Sequence, residues 1–486
     1  MENPDKEIKD LGNQRIEHSL SLRKKKINEH ILKRRLGLNN KNYSIKKEEI
    51  IVKEEYKNRQ FKGLADLLNF TSIILGNDQS DKNDIKFAIW LLKATEIKND
   101  KGEVNNSNIM KELSKALSKY INDIIVVDEI ISILINFSYY LTIETNMNLL
   151  TNEYLNIYSK ITTLYFKDDI IFHDLIILLG NLSHDNITAQ KIFYQTKLFE
   201  EIFNLVQNEK APKDKKDVCL WFLAIFTKGI QNNIYFINNT KLLKCLIDIM
   251  IFYAKQEEYI VYCLEAIGNL SDIESMSEYL VGQNDFFNFI FEINKPELYL
   301  QINKILVSIA SFNEKINLIL VENYKVIPYM LKLLNSSSIK LQGQVLFLLG
   351  NILENESSKI NEIIYNHGIF DIIFKNLESP NVDILSKSLF LVNVIVNSLN
   401  NEGIFRLYQK NIHIKLINIL KTDYNRDIID MTIDAIIEFL QKDSQDGVIK
   451  QSFIDNGLKE VFSNMILDRN DTEIFFKTEQ ILKNYF

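Results

Sequence analysis

Glycine and proline are scarce in this chain. Its 486 residues include 15 and 5 of them, about 4% of the total against roughly 12% in average usage. Tight hairpins, phosphate-cradling loops and many-stranded sheets all consume these residues, which argues against an all-β or dinucleotide-binding fold. Cysteine is scarcer still. Cys219, Cys245 and Cys263 are too few for a disulfide framework, and each sits in an apolar helical pattern, so buried free thiols in a reducing compartment are expected. No stretch offers 18 consecutive apolar residues, and the start Met1-Glu2-Asn3-Pro4-Asp5-Lys6-Glu7 is too polar for a signal peptide. A soluble intracellular chain with no membrane insertion is the expectation. The six histidines are scattered, and no H-E-x-x-H, G-x-x-x-x-G-K-[ST] or G-x-S-x-G pattern occurs. No metal, cofactor or enzymatic activity is therefore expected.

What the sequence does contain is a large apolar fraction, 46%, and an uneven charge. The segment from Leu11 to Lys47 carries eleven Lys and Arg against Glu17 and Glu29 alone. It is therefore +9, which leaves −16 on the remainder of a chain whose total is −7. Within it, residues 14–36 lack Gly and Pro, and Ile16, Leu20, Ile27 and Ile31 recur at helical spacing among the cations. The pattern predicts an amphipathic basic helix that is marginal by itself in water. A basic head on an acidic body favours either self-attraction or an acidic partner.

From residue 63 onward the chain repeats itself. Apolar helical stretches ending in Gly-Asn-Leu or a variant recur, most clearly at Ile133–Phe137, Leu178–Leu182 and Ala266–Leu270, and Leu348–Ile352 and Leu391–Val394 continue them. The Asn position falls at residues 136, 181, 225, 269, 308, 351, 393 and 438, with steps between 39 and 45. A second apolar helix follows about 20 residues later, as at Leu242–Ile251, Val326–Leu334, Ile369–Leu377, Ile412–Leu420 and Leu458–Ile466, and a longer one is predicted at Tyr194–Val206. A helical period of 40–47 residues marks an armadillo or HEAT solenoid. No single unit can bury its own faces, and stacking makes one continuous core. The predicted architecture is all-α, a right-handed armadillo superhelical solenoid of about nine to ten repeats over 63–486. A tail at 1–10, the basic helix at 11–36 and a linker at 37–62 precede it.

Taken together, head and repeats resemble the importin-α family of transport adaptors. The resemblance is carried by Gln14-Arg15-Ile16-Glu17, Leu22-Arg23-Lys24, Lys26, Glu29 and Leu32-Lys33-Arg34-Arg35, followed by the repeats. It implies importin-β as a partner, bound through Arg15, Leu22, Arg23, Lys24 and Lys26. It implies autoinhibition by Lys33, Arg34 and Arg35, which would mimic a nuclear-localisation signal in the cargo groove. It also implies basic cargo proteins, shuttling between cytoplasm and nucleus, and no direct nucleic-acid contact.

In that family each groove-lining helix usually presents Trp and, four residues later, Asn, which share one helix face. The amide pins an extended peptide's backbone, and indole slots hold its cationic side chains. Carried over, the Asn row is Asn136, Asn181, Asn269, Asn351 and Asn393, with Ile225 and Ser308 as departures. The Trp row reads Ser132, Ile177, Trp221, Glu265, Lys304, Phe347 and Leu389. Only Trp221 is kept, and Phe347 keeps an aromatic face. Asp185 matches the acidic position of the main lysine pocket. Because the Trp row is eroded, an alternative is a scaffold that keeps importin-β binding but takes non-classical cargo. The family's acidic stretch for an export receptor has no counterpart at Ile481–Phe486.

Overall fold

The computed structural model describes residues 59–93, 107–140, 146–230, 240–324, 326–354, 358–422, 424–443, 447–467 and 472–486, with Lys53, Tyr56 and Val104. The basic segment 11–36, with every residue assigned to importin-β binding or autoinhibition, lies outside them. Among the described residues there are 26 α-helices and no strand. They form two compact units, one up to Ile273 and one from Glu274 onward.

In each unit the repeating element is a short helix, a second helix and a long helix, the three-helix armadillo pattern. In the first unit the long helices are Lys82–Lys93, Ile124–Tyr140, Asp169–Ser183, Lys213–Phe226 and Glu257–Leu270. In the second they are Pro296–Ala310, Ile339–Leu353, Val382–Ser398, Arg426–Gln441 and Thr472–Tyr485. Consecutive long helices within a unit lie side by side as a ladder. The inner ladder helices, Asp169–Ser183 and Lys213–Phe226 above all, are buried nearly all round, whereas the last ones, Arg426–Gln441 and Thr472–Tyr485, keep a polar face. From Ile170 to Ser183, for instance, only His173 is not buried. The second helices are amphipathic. Lys197–Gln207 buries Leu198, Phe199, Ile202, Leu205 and Val206 and turns Lys197 and Glu200 to solvent. Each such aliphatic or aromatic side chain stabilises by about 1.5–3 kcal/mol when buried.

The second helices at Val326–Leu334 and Ile412–Leu420 match their predicted bounds. The predicted Tyr194–Val206 is instead two helices, Ile187–Tyr194 and Lys197–Gln207. Thr196 breaks the run because its hydroxyl accepts from Phe199 N and caps the second helix. Asparagine usage has a similar local cause. Asn186, Asn313, Asn381, Asn400 and Asn425 each cap a helix N-terminus through the side chain.

Cross-repeat hydrogen bonds keep the sequence period. Tyr165 donates to Ile121 O at 2.8 Å, Tyr259 to Lys213 O at 3.0 Å and Tyr324 to Val281 O at 2.7 Å, across 44, 46 and 43 residues. Packing also begins upstream of residue 63. Lys53 pairs with the buried Asp84 at 2.6 Å, and Tyr56 stacks on Phe87 with centroids 5.8 Å apart. Arg59 lies 4.4 Å over Phe70 and reaches Asp66 at 2.8 Å. These residues cover the open apolar end that a first repeat exposes.

His413 is buried where Ile412–Leu420 meets Val448–Asp455. Its Nε2 is 2.9 Å from Ser452 Oγ, and its ring packs on Tyr408 and Phe453. Burial lowers its pKa, so the folded form holds it neutral. The unfolded chain therefore takes up the proton first as pH falls, and stability should decline below the ordinary histidine value of about 6.5. Hydrogen exchange across 412–467 between pH 7.5 and 5 should show this acid loosening. His413→Gln should flatten it, and an unchanged profile would refute the assignment.

Candidate functional site

The ladder faces carry the residues singled out by the sequence, and the structure gives most of them a partner in the neighbouring repeat. In the first unit, Asn181 Nδ2 donates to Ser138 Oγ at 3.1 Å. Asn269 Nδ2 donates to Ala224 O at 3.1 Å and to Thr227 Oγ1 at 3.2 Å. Asn136 is exposed. In the second unit, Asn351 Nδ2 donates back to Val307 O at 3.1 Å, while Asn393 Nδ2 donates forward to Met431 O at 3.0 Å. Four of the five asparagines thus use an amide proton to hold an adjacent ladder helix, each bond contributing about 0.5–1.5 kcal/mol.

Trp221 is fully buried. A Cβ added to Gly180 would stand 2.7 Å from its ring, so the glycine before Asn181 is the recess into which the next helix's indole fits. Gly350 serves Phe390 in the same way at 3.0 Å. The Gly-Asn pair of the repeat motif is therefore a stacking device. Glycine admits a ring from the following helix, and asparagine ties the preceding one. This gives Trp221 a packing role in place of the open slot expected from the sequence, because a slot needs an exposed ring face. Phe347 is also buried.

Asp185 follows the helix Asp169–Ser183 in a left-handed backbone conformation, φ 51°. Its carboxylate lies 3.3 Å from Lys228 Nζ and 3.4 Å from His184 Nδ1. Lys228 lies just past the end of the next ladder helix, and its side chain is almost wholly buried. The acid expected to meet an incoming lysine is thus already paired with an internal one, while about two-fifths of its surface stays open.

A further row was not singled out in the sequence. One turn before the Trp position stand Asp128, His173, Asp217 and Asp430, and in the last case Asp434 and Glu438 continue it at i+4 and i+8. Acids occupy this offset in three of the eight repeats and His173 in a fourth, while Val261, Leu300, Gly343 and Leu385 stand there in the others, so no sequence pattern marks it. Ladder cations reach neighbouring acids in several places. Lys93 pairs with the buried Glu129 at 2.7 Å, and Lys215 with Asp169 at 2.6 Å beneath Phe166 and Phe172. Lys477 lies 2.5 and 2.9 Å from Asp430 and Asp434. Burial alone would lower the Lys477 pKa, but the two carboxylates outweigh it and hold it raised.

Among the described residues no group of three or more His, Cys, Asp or Glu could hold a metal ion, and no helix is long and apolar enough to cross a membrane. The three cysteines are free and buried. Burial pushes the Cys245 thiol up to about 12 and raises Cys219 and Cys263 as well, so all three stay protonated.

The indole recess makes a direct test. Gly180→Ala should cost about 1–3 kcal/mol through overpacking. Trp221→Phe in the same chain should recover part of that loss in a double-mutant cycle of denaturant melts. Additive effects would show that the two positions do not meet.

No protein-family model and no curated protein matches the sequence. Solved structures do. An engineered protein from a structural genomics consortium aligns with TM-score 0.67 at 16% identity, covering 86% of this chain and 98% of that one. Computationally designed armadillo repeat proteins for modular peptide recognition align with TM-score 0.44 at 14% identity, covering 50% of this chain and 100% of theirs. The first likeness agrees with the fold built above, an all-α armadillo solenoid.

Proposed function

We propose that this chain is a nuclear-import adaptor of the importin-α kind. Residues 11–36 would bind importin-β, and the ladder faces would hold an extended basic segment of a cargo protein. The observation that carries this reading is the charge split, +9 on residues 11–47 and −16 on the rest of a chain that is mostly an armadillo solenoid. Partly exposed ladder carboxylates such as Asp430 and Asp434 suit a cationic partner. In this reading the protein is not an enzyme, needs no cofactor, and shuttles between cytoplasm and nucleus. Recycling by an export receptor belongs to the same reading.

One observation favours a variant of this reading. The ladder asparagines tie neighbouring helices, Trp221 is buried, and Asp185 pairs with Lys228. Cargo recognition would then rest on partly exposed carboxylates such as Asp185 more than on paired Trp and Asn, which fits non-classical cargo. Of the assigned cargo residues Asn136 is exposed and Asp185 partly so, while Asn351 and Asn393 are half-buried.

A peptide of residues 11–36 should bind importin-β, with affinity falling about tenfold or more between 0.1 and 1 M salt as screening shortens. Absence of binding, or affinity that ignores salt, would count against the adaptor reading. In the full chain, replacing Lys33, Arg34 and Arg35 together by Ala should tighten binding of a basic localisation peptide several-fold by calorimetry. Unchanged affinity would remove these residues as an internal competitor.

A further inference from the structure

The last carbonyls of an α-helix have no partner along their own helix. At two places a single buried carboxamide closes the ends of two ladder helices at once. Gln190, in Ile187–Tyr194, donates Nε2 to Ser183 O at 3.4 Å and to Lys228 O at 2.5 Å. Ser183 ends one ladder helix, and Lys228 lies just past the end of the next. In the second unit, Asn317, in Glu314–Asn323, donates Nδ2 to Ala310 O at 3.0 Å and to Asn351 O at 3.2 Å. Ala310 ends one ladder helix, and Asn351 is in the last turn of the next.

The two bridges are built alike. Both side chains have zero exposure. In both the carboxamide oxygen is buried and accepts no hydrogen bond. Both stand nine residues after the Asn position of their repeat, at Asn181 and Ser308. A buried acceptor left without a donor costs about 1–3 kcal/mol. A carboxamide that bears this cost twice is retained for its two N–H protons, one for each carbonyl. A hydroxyl has one proton and could close only one end.

The bridge fixes the distance between two ladder helices at the end where the candidate site residues lie. Gln190 holds the backbone of Lys228, the partner of Asp185, and Asn317 holds that of Asn351. Packed helices sit about 8–10 Å apart, whereas an extended chain advances about 3.3–3.4 Å per residue. A change of 1 Å between rungs therefore alters which side-chain spacing on an extended partner meets both. We propose that Gln190 and Asn317 are positioning residues of the ladder. They set rung spacing and thereby select the spacing of basic side chains in the bound segment. This rests on the peptide-binding reading above.

The test uses the full chain with Asn317→Leu and, as a milder variant that keeps one donor, Asn317→Ser. Nitroxide labels at the exposed positions Ser311 and Glu354 report the distance between the two helix ends by pulsed electron resonance. Calorimetry with basic peptides whose two lysine pairs are separated by different spacers reports selectivity. The expected result is a broadened or shifted distance for Leu and an intermediate one for Ser. The affinity ratio between best and worst spacer should shrink about fivefold or more. An unchanged distance, or affinities that all fall by one factor, would overturn the proposal, since a purely stabilising residue does the latter. If the unaltered chain binds none of the peptides, the peptide-binding reading falls and selectivity falls with it. The label distances then decide the positioning role alone.

Discussion

Burial of one long helix against the flank of the next is the interaction on which each unit depends. A helix such as Asp169–Ser183 is apolar on nearly every side, so it is stable only between two neighbours of its kind. The polar features serve that packing. Glycine gives room for a ring from the following helix, as Gly180 does for Trp221. Asparagine four residues past the Trp position ties the helix alongside. Tyrosines bridge about one period of sequence, and buried amides close helix ends in pairs. Hydrogen bonds of this kind add little net energy each, but a broken one leaves a buried group unsatisfied. They therefore set register more than they set stability.

Charge follows the same logic. The ladder carries acids, and several are met by a lysine from an adjacent helix, as with Glu129, Asp169 and Asp430. A partly buried carboxylate needs a counter-charge or hydrogen bonds to remain ionised. An internal lysine supplies one when no partner is bound. In the proposed reading a basic segment docking on such a face would exchange one ion pair for another, so selectivity would come from geometry and the number of rungs engaged more than from single contacts.

The fold was legible because its signals are local and repeated. A period near 43 residues, helical apolar spacing and the near absence of glycine and proline all point to one architecture. Val326–Leu334 and Ile412–Leu420 could be bounded to the residue because their apolar runs begin and end sharply. The break at Thr196 was missed because a single capping hydroxyl outweighs an otherwise continuous helical pattern. Site residues were less legible. The positions of Asn181, Asn269, Asn351 and Trp221 could be read off the repeat, but not the direction in which each side chain turns. Spacing of i and i+4 fixes a shared face and leaves open whether that face meets solvent or the next repeat.

Sequence alone determined the helical class, the repeat length, the separation of basic head from acidic remainder, and the absence of familiar catalytic motifs. These depend on residue type and order, which the chain carries without folding. Only the tertiary structure decided that Asp185 meets Lys228, that Gly180 receives Trp221, and that Gln190 and Asn317 each bind two helix ends. The partners in the neighbouring repeat lie between 34 and 43 residues apart along the chain. Helices one repeat apart bring them within hydrogen-bonding distance, and no local pattern records which atoms will face each other.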